Sequence, residues 1–154
     1  MHITPEEAQQ IAFLAGRGEI KEMEALVLNL AMRENSTAAA VLIGSRDDFN
    51  RTAAHAAAQG GQSTSIEKLA ELLGTEDAKT TFFNLADRFT GDRPVHTALR
   101  QGFFEVFRVL VSHGADPTEK NRCGDSVLDY PGDFEPQEVQ QVIDEYMGRE
   151  RSGT

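Results

Sequence analysis

The stretch Gly91-Asp92-Arg93-Pro94-Val95-His96-Thr97-Ala98-Leu99-Arg100-Gln101-Gly102 reads as a turn, a short helix and a reversal. Gly91 tolerates the left-handed backbone that a tight turn needs. Pro94 pre-organises the start of the helix, because its fixed φ is already helical. Ala98 is small enough for a neighbouring helix to come close, and Gly102 ends the helix in a left-handed geometry. The chain continues Phe103-Phe104-Glu105-Val106-Phe107-Arg108-Val109-Leu110-Val111-Ser112-His113-Gly114-Ala115-Asp116-Pro117, in which Val106, Val109 and Leu110 fall on one helical face. A unit this short cannot bury that face alone, so it requires stacked neighbours.

The neighbours are present and in register. Asn50-Arg51-Thr52-Ala53-Ala54-His55-Ala56-Ala57-Ala58-Gln59-Gly60-Gly61 repeats the first half, with His55 six residues before Gly61 as His96 is six before Gly102. Gly124-Asp125-Ser126-Val127-Leu128-Asp129 begins 33 residues after Gly91, and Glu138, Val139, Val142 and Ile143 then follow Glu105, Val106, Val109 and Leu110 at the same spacing. Leu14-Ala15-Gly16-Arg17-Gly18-Glu19-Ile20 aligns with the helix-ending segment, and Met23, Leu26 and Val27 follow at helical spacing. The expectation is an all-α solenoid of four helix-turn-helix units near 4–34, 46–74, 87–114 and 120–147. They form one domain over 1–148, and 149–154 is a short polar tail.

Local signals agree with that register. Thr4-Pro5-Glu6-Glu7 is a capping box with proline at the first helical position. Thr52 and Ser126 can cap the second and fourth inner helices, and Asp129 completes a box for the fourth. Asn50 takes the left-handed turn position that Gly91 and Gly124 hold elsewhere. Thr64 or Ser65 is expected to cap the second outer helix. Pro131 should cut the fourth inner helix to little more than a turn. The first and last units carry polar outer residues, as terminal units of a short array require.

Two steps are longer than the period of about 33 residues. Gly18 to Gly61 is 43 residues and Gly61 to Gly102 is 41. The surplus falls in 35–45 and 75–85, which should lengthen the finger edge of the stack. Their apolar residues, Ala38-Ala39-Ala40-Val41-Leu42-Ile43 and Phe82-Phe83, are expected to extend the outer helices or tuck under them. The alternative is that they form part of an interface.

Length and composition narrow the function classes. The chain has 154 residues, enough for a core without staples. Its one cysteine, Cys123, can form no internal disulfide, which fits a reducing compartment and a cytoplasmic or nuclear location. No apolar run reaches the roughly 20 residues of a membrane helix, and the acidic start lacks the order of a secretory signal. The net charge of −10 argues against direct nucleic-acid or anionic-membrane binding; it either favours a basic protein partner or only keeps a small protein in solution. Residues 1–85 carry 12 acids and 7 bases, 86–122 carry 5 and 6, and 123–154 carry 8 and 2. The acidity therefore sits at the two ends.

Taken together, the turn, the His-x-Ala stretch, the Gly and the closing Gly-Ala-Asp resemble the ankyrin-repeat pattern, most closely in 91–117, where Arg93 replaces the usual threonine. The layout, with a degenerate first unit and long insertions before the second and third, is similar to the fungal ankyrin-repeat escort chaperones of a small-subunit ribosomal protein. Arg93-Pro94-Val95-His96 followed by Gly102-Phe103 also resembles the four-repeat inhibitors of cyclin-dependent kinases, which lack such insertions. The resemblance implies a structural hydrogen-bonding role for His55 and His96 near the turns. It also implies protein binding through turn tips and the exposed side of the inner helices. The corresponding positions are Arg46, Asp47, Asp48 and Phe49; Asp87, Arg88, Phe89 and Asp92; Lys120 and Arg122; and Ala56, Gln59, Thr97, Arg100 and Gln101. Phe49 and Phe89 stand where the pattern usually carries polar residues; each is either an anchor for a partner or folds back on its own finger.

No residue set calls for catalysis. Cys123 has no cysteine neighbour for a zinc site, and Gly60-Gly61-Gln62-Ser63-Thr64-Ser65 lacks the Gly-Lys-Ser/Thr ending of a phosphate loop. The acid pairs Glu6-Glu7, Asp47-Asp48 and Glu76-Asp77 fit caps and turns. The expected protein is a monomeric binding module with no cofactor, no metal and no enzymatic activity. It would be an escort for a basic client, or else an enzyme inhibitor or a non-catalytic scaffold subunit.

Overall fold

The computed structural model describes residues 2–130 and 134–152. Among them it is entirely helical. In chain order the helices are α1 (Pro5–Arg17), α2 (Ile20–Arg33), α3 (Ala38–Gly44), α4 (Ala53–Gly60), α5 (Ser63–Leu73), α6 (Glu76–Phe83), α7 (Pro94–Arg100), α8 (Phe104–Ser112) and α9 (Pro136–Ser152), with a 3₁₀ turn at Val127–Asp129 before α9. Inner helices α1, α4 and α7 and the 3₁₀ turn stack side by side, backed by outer helices α2, α5, α8 and α9. The last helix continues to Ser152, into the 149–154 stretch expected to be a polar tail.

The caps explain where the helices start. Thr4 Oγ1 accepts from the Glu7 amide, and Glu7 Oε1 accepts from the Thr4 amide. Ser126 and Asp129 make the same reciprocal pair for the fourth unit. Its inner element is one short turn; Pro131, expected to shorten it, lies outside the described residues. Thr52 caps α4, and Asn50 is left-handed at φ 63°. Neither Thr64 nor Ser65 caps α5. The helix begins at Ser63 after Gln62, which gives no side-chain bond, while buried Ser65 donates to the Ala15 carbonyl at 2.6 Å and ties α5 to α1.

Both insertions fold into helices of their own rather than prolonging the outer ones. Thr37 starts α3 and Thr75 starts α6, each hydroxyl accepting a backbone amide. Val41 and Leu42 from the first, and Phe82 and Phe83 from the second, are buried in the core with Leu30, Ile66, Leu69 and Leu110. Asn84, just past α6, donates to the Gly114 carbonyl at 3.0 Å and accepts from the Asp116 amide at 2.7 Å. The second insertion thereby braces the exit of α8.

Three turn fingers project from one edge and are laced together. The Arg88 amide donates to the Phe49 carbonyl at 2.7 Å, Asn50 Nδ2 to the Ala86 carbonyl at 3.0 Å, and the Arg122 amide to the Thr90 carbonyl at 2.8 Å. Gly91 is required twice at this edge. Its φ is 72°, and a Cβ there would lie 2.9 Å from the Arg122 amide nitrogen that makes the last of these bonds.

Candidate functional site

The inner helices and fingers enclose a concave groove of about 660 Å³. Its floor is made of small residues, Ala8, Ala12 and Gly16 from α1 and Ala56 and Gly60 from α4; Phe13 and Arg17 stand on one side and Arg51, Thr90 and Arg100 on the other. Small side chains let α1 and α4 approach until a Cβ on Gly60 would sit 2.1 Å from the Gly16 carbonyl oxygen. The rest of the groove is left open for an occupant.

Histidines hold the fingers in place. The Thr52 amide donates to His55 Nδ1 at 3.1 Å, so Nε2 carries the ring proton and donates to the Asp92 carbonyl at 2.9 Å. His96 repeats this with the Arg93 amide at 3.1 Å and the Glu119 carbonyl at 2.9 Å. Each imidazole caps its own helix and braces the next finger. Burial pushes both below the usual imidazole range, against the pull of the carbonyls that accept from them.

Eleven of the fifteen positions expected to meet a partner divide into two groups. Asp48, Phe49, Arg88, Phe89, Gln101, Lys120 and Arg122 are exposed along the fingers and the end of α7. Phe49 and Phe89 do not fold back separately: their rings pair across adjacent fingers with centroids 5.0 Å apart, and Phe89 remains 70 % exposed. Asp47, Asp87, Asp92 and Arg100 are engaged inside the protein. Asp47 Oδ1 accepts the amides of Phe49 and Arg51, and Asp87 Oδ1 those of Phe89 and Thr90.

Asp92 is a correction to the sequence reading, which set it among exposed turn residues. It is 3 % exposed, accepts from Asn121 Nδ2 at 2.9 Å and pairs with Arg100 at 2.5 Å. Burial opposes its charge, but Arg100, Asn121 and Thr90 outweigh that and hold the carboxyl below its usual range. Arg100 in turn reaches the Tyr130 hydroxyl and lies 5.2 Å over its ring. This network ties the third unit to the fourth.

Sequence reasoning missed the α1 side of the groove. Phe13 is 55 % exposed there, with Arg17 lying 5.3 Å over its ring. Their i, i+4 spacing on one helix was the available signal. It also missed that Asp47 and Asp92 are each paired with an arginine, Arg51 and Arg100. The groove is therefore close to charge-balanced, and much of the acidity lies elsewhere, as on exposed Glu138, Asp144 and Glu145 of α9. Among the described residues no group of three His, Cys, Asp or Glu side chains is placed to hold a metal ion. No described helix is long and apolar enough to cross a membrane.

Known proteins place this geometry. The family profile for ankyrin repeats (three copies) matches residues 19–121. A chain in the crystal structure of the yeast ribosomal protein Rps3 in complex with its chaperone Yar1 superposes with a TM-score of 0.72. The match covers 96% of this chain and 95% of that one at 19% identity, a likeness of fold. The ankyrin repeat and LEM domain-containing protein 2 homolog of Caenorhabditis elegans is 31% identical over 107 residues. That alignment takes in 56% of this chain and 18% of the relative, so the chain spans less than a fifth of its length.

Proposed function

The chain belongs to the ankyrin-repeat family, and from that premise we propose that this protein-binding module escorts a basic client, gripping it with the finger tips and the inner-helix groove. The observation that carries the reading is the Phe49–Phe89 pair. Two paired, exposed aromatic rings stand on adjacent fingers whose Asp47, Arg51, Asp87 and Thr90 line the groove, where an anchor for a partner would be placed. The likeness to a chain in the complex of a ribosomal protein with its chaperone supports an escort, and the net charge of −10 suits a basic client. A cytoplasmic or nuclear site of action and a non-catalytic role follow from the same reading.

Capture from the source cell with the purified protein as bait, identified by mass spectrometry, tests it. A basic ribosomal protein is the expected prey; a kinase or a metabolic enzyme in its place replaces the escort reading with inhibition or scaffolding. With the client in hand, Phe49→Ala combined with Phe89→Ala should weaken binding by at least about 2 kcal/mol while stability changes far less. Asp48 and Asp87, which pair with no basic side chain among the described residues, should speed association at low salt. Glu138→Ala with Gln141→Ala on α9 is the silent control. If that pair abolishes binding and the phenylalanine pair does not, the client uses the outer surface and the proposed site is wrong.

A further inference from the structure

The second and third fingers share an Asp-x-Phe start, and the third has one residue more and Asp92 where the second has Arg51. In the second, Asp47 Oδ1 accepts the amides of Phe49 and Arg51, both at 2.9 Å. Arg51 then turns back over its own finger. Its guanidinium carbon lies 4.9 Å from the centroid of the Phe49 ring, and its Nε donates to Asp47 Oδ2 at 3.1 Å. Ring and carboxylate hold one cation between them. In the third finger, Asp87 Oδ1 accepts the amides of Phe89 and Thr90, both at 2.7 Å, so the aspartate and the phenylalanine have the same relation. Where the second finger continues to Arg51, the third continues through Gly91 to buried Asp92.

The third finger thus has the receptor without its cation. Among the described residues no guanidinium or ammonium lies over Phe89, and no basic side chain pairs with Asp87. Arg88 stands between them in sequence but points its charge into no ion pair; its backbone amide is taken by Phe49. One face of Phe89 is met by Phe49, and the residue is otherwise the most exposed aromatic of the chain at 70 %.

We propose that the third finger takes from the partner what Arg51 supplies to the second: one arginine side chain, stacked on the free face of Phe89 with its charge against Asp87. This rests on the reading of the fingers as a gripping surface and names what they grip. The second finger shows which chemistry fits. A planar guanidinium can lie on a ring and still direct an N–H at a carboxylate, which a compact ammonium does less well.

The probe is N-acetyl-arginine amide, titrated into the whole chain and followed by NMR at the Phe89 ring and the finger amides. N-acetyl-citrulline amide, equally planar but uncharged, is the comparison. Saturable shifts centred on Phe89 are expected with arginine, and at least about threefold weaker binding with citrulline. Phe89→Ala and Asp87→Asn should each weaken arginine binding about threefold. Asparagine keeps the Oδ1 that accepts the two amides, so the finger keeps its fold. Arg51→Ala should open a second, equivalent site at Phe49. Shifts that spread over the acidic outer helices and survive Phe89→Ala overturn the proposal, and so does an Arg51→Ala variant that gains nothing at Phe49. No client enters this experiment. If a client needs Phe49 and Phe89 while arginine amide ignores them, only the arginine inference falls and the gripping surface stands.

Discussion

The four inner segments share one half of a capping box, in which the N-cap amide donates to a side chain three residues on; the central units supply histidine there and the terminal units a carboxylate. Glu7 accepts from the Thr4 amide at 3.0 Å and Asp129 from the Ser126 amide at 2.7 Å, and neither reaches the next unit's finger. His55 and His96 accept the equivalent amide through Nδ1 and use Nε2 to reach the next finger, at Asp92 and Glu119. A carboxylate only accepts, whereas neutral imidazole accepts at one edge and donates at the other. A histidine can therefore be both cap and strut. The first unit, without a strut, is joined by close backbone approach instead, with Gly60 against the Gly16 carbonyl and Ser65 on the Ala15 carbonyl. Cohesion runs through polar bonds at the fingers of the central units and through glycine packing at the first seam.

Gly60→Val attacks that seam and should have the largest effect. The new Cβ would stand 2.1 Å from the Gly16 oxygen, which is backbone and has no rotamer to escape into. The loss should exceed about 3 kcal/mol, with α1 and α2 separating before the rest of the array. Gly148→Ala on α9 meets nothing within 4 Å and serves as the harmless control. Denaturant melts of both decide it: a Gly60→Val chain that unfolds in one step at the parental midpoint would mean the seam is not held by backbone approach.

His55→Ala tests the strut. It removes two hydrogen bonds, leaves the buried Thr52 amide unpaired, and takes from the Asp92 carbonyl one of two donors, the Asp87 amide remaining at 2.8 Å. The expected cost is roughly 2 kcal/mol. Hydrogen exchange should rise at the third finger, where Asp92 is 37 residues away in sequence but one bond away in space. Protection lost only around residue 55 would reduce the histidine to a cap.

The sequence disclosed the boxes because they are local. Thr4 and Glu7, Ser126 and Asp129, and the two histidine positions each lie three or six residues from their reference points, and the fold followed from them. The insertions were harder. Thr37 and Thr75 were usable caps, but α3 and α6 span only 7 and 8 residues, too few for a period to declare itself. Ser65 and Asp92 were misread for another reason. Each looks like an ordinary cap or turn residue, and its real partners, Ala15, Arg100 and Asn121, are set by the packing of whole units. The Phe49–Phe89 pairing depends on finger-to-finger registration in the same way.

The two kinds of box should also fail at different pH. Burial holds His55 and His96 below their ordinary value of 6.5, so the unfolded chain takes up protons first as pH falls. Their stabilisation is complete above about pH 6.5 and is lost as pH falls through the lowered folded values, with a slope of at most about 1.4 kcal/mol per pH unit for each histidine. Glu7 is held down to about 2 from 4.5, first by Arg33 and then by the Thr4 amide. Its contribution is fully present above 4.5 and is lost progressively between 4.5 and about 2. Melting temperatures from pH 8 to pH 3 should decline first below 6.5. A flat profile down to 4.5 would mean that the central boxes are not built on neutral histidine.

The smallest effect expected is the loss of a terminal cap, and it measures how private the terminal boxes are. Thr4 Oγ1 accepts from the Glu7 amide at 3.1 Å, while Ser126 Oγ accepts from the Leu128 amide at 3.3 Å in a turn of only three residues. Thr4→Ala should cost about 1 kcal/mol, and Ser126→Ala less, because its bond is longer and there is hardly a helix to cap. In both variants the change should stay local. Exchange should rise at the first-turn amides of α1 or at the 3₁₀ turn, and the fingers of the central units should keep their protection. If Thr4→Ala instead destabilises as much as His55→Ala, the first box also braces its neighbour, and the division between caps at the ends and struts in the middle is lost.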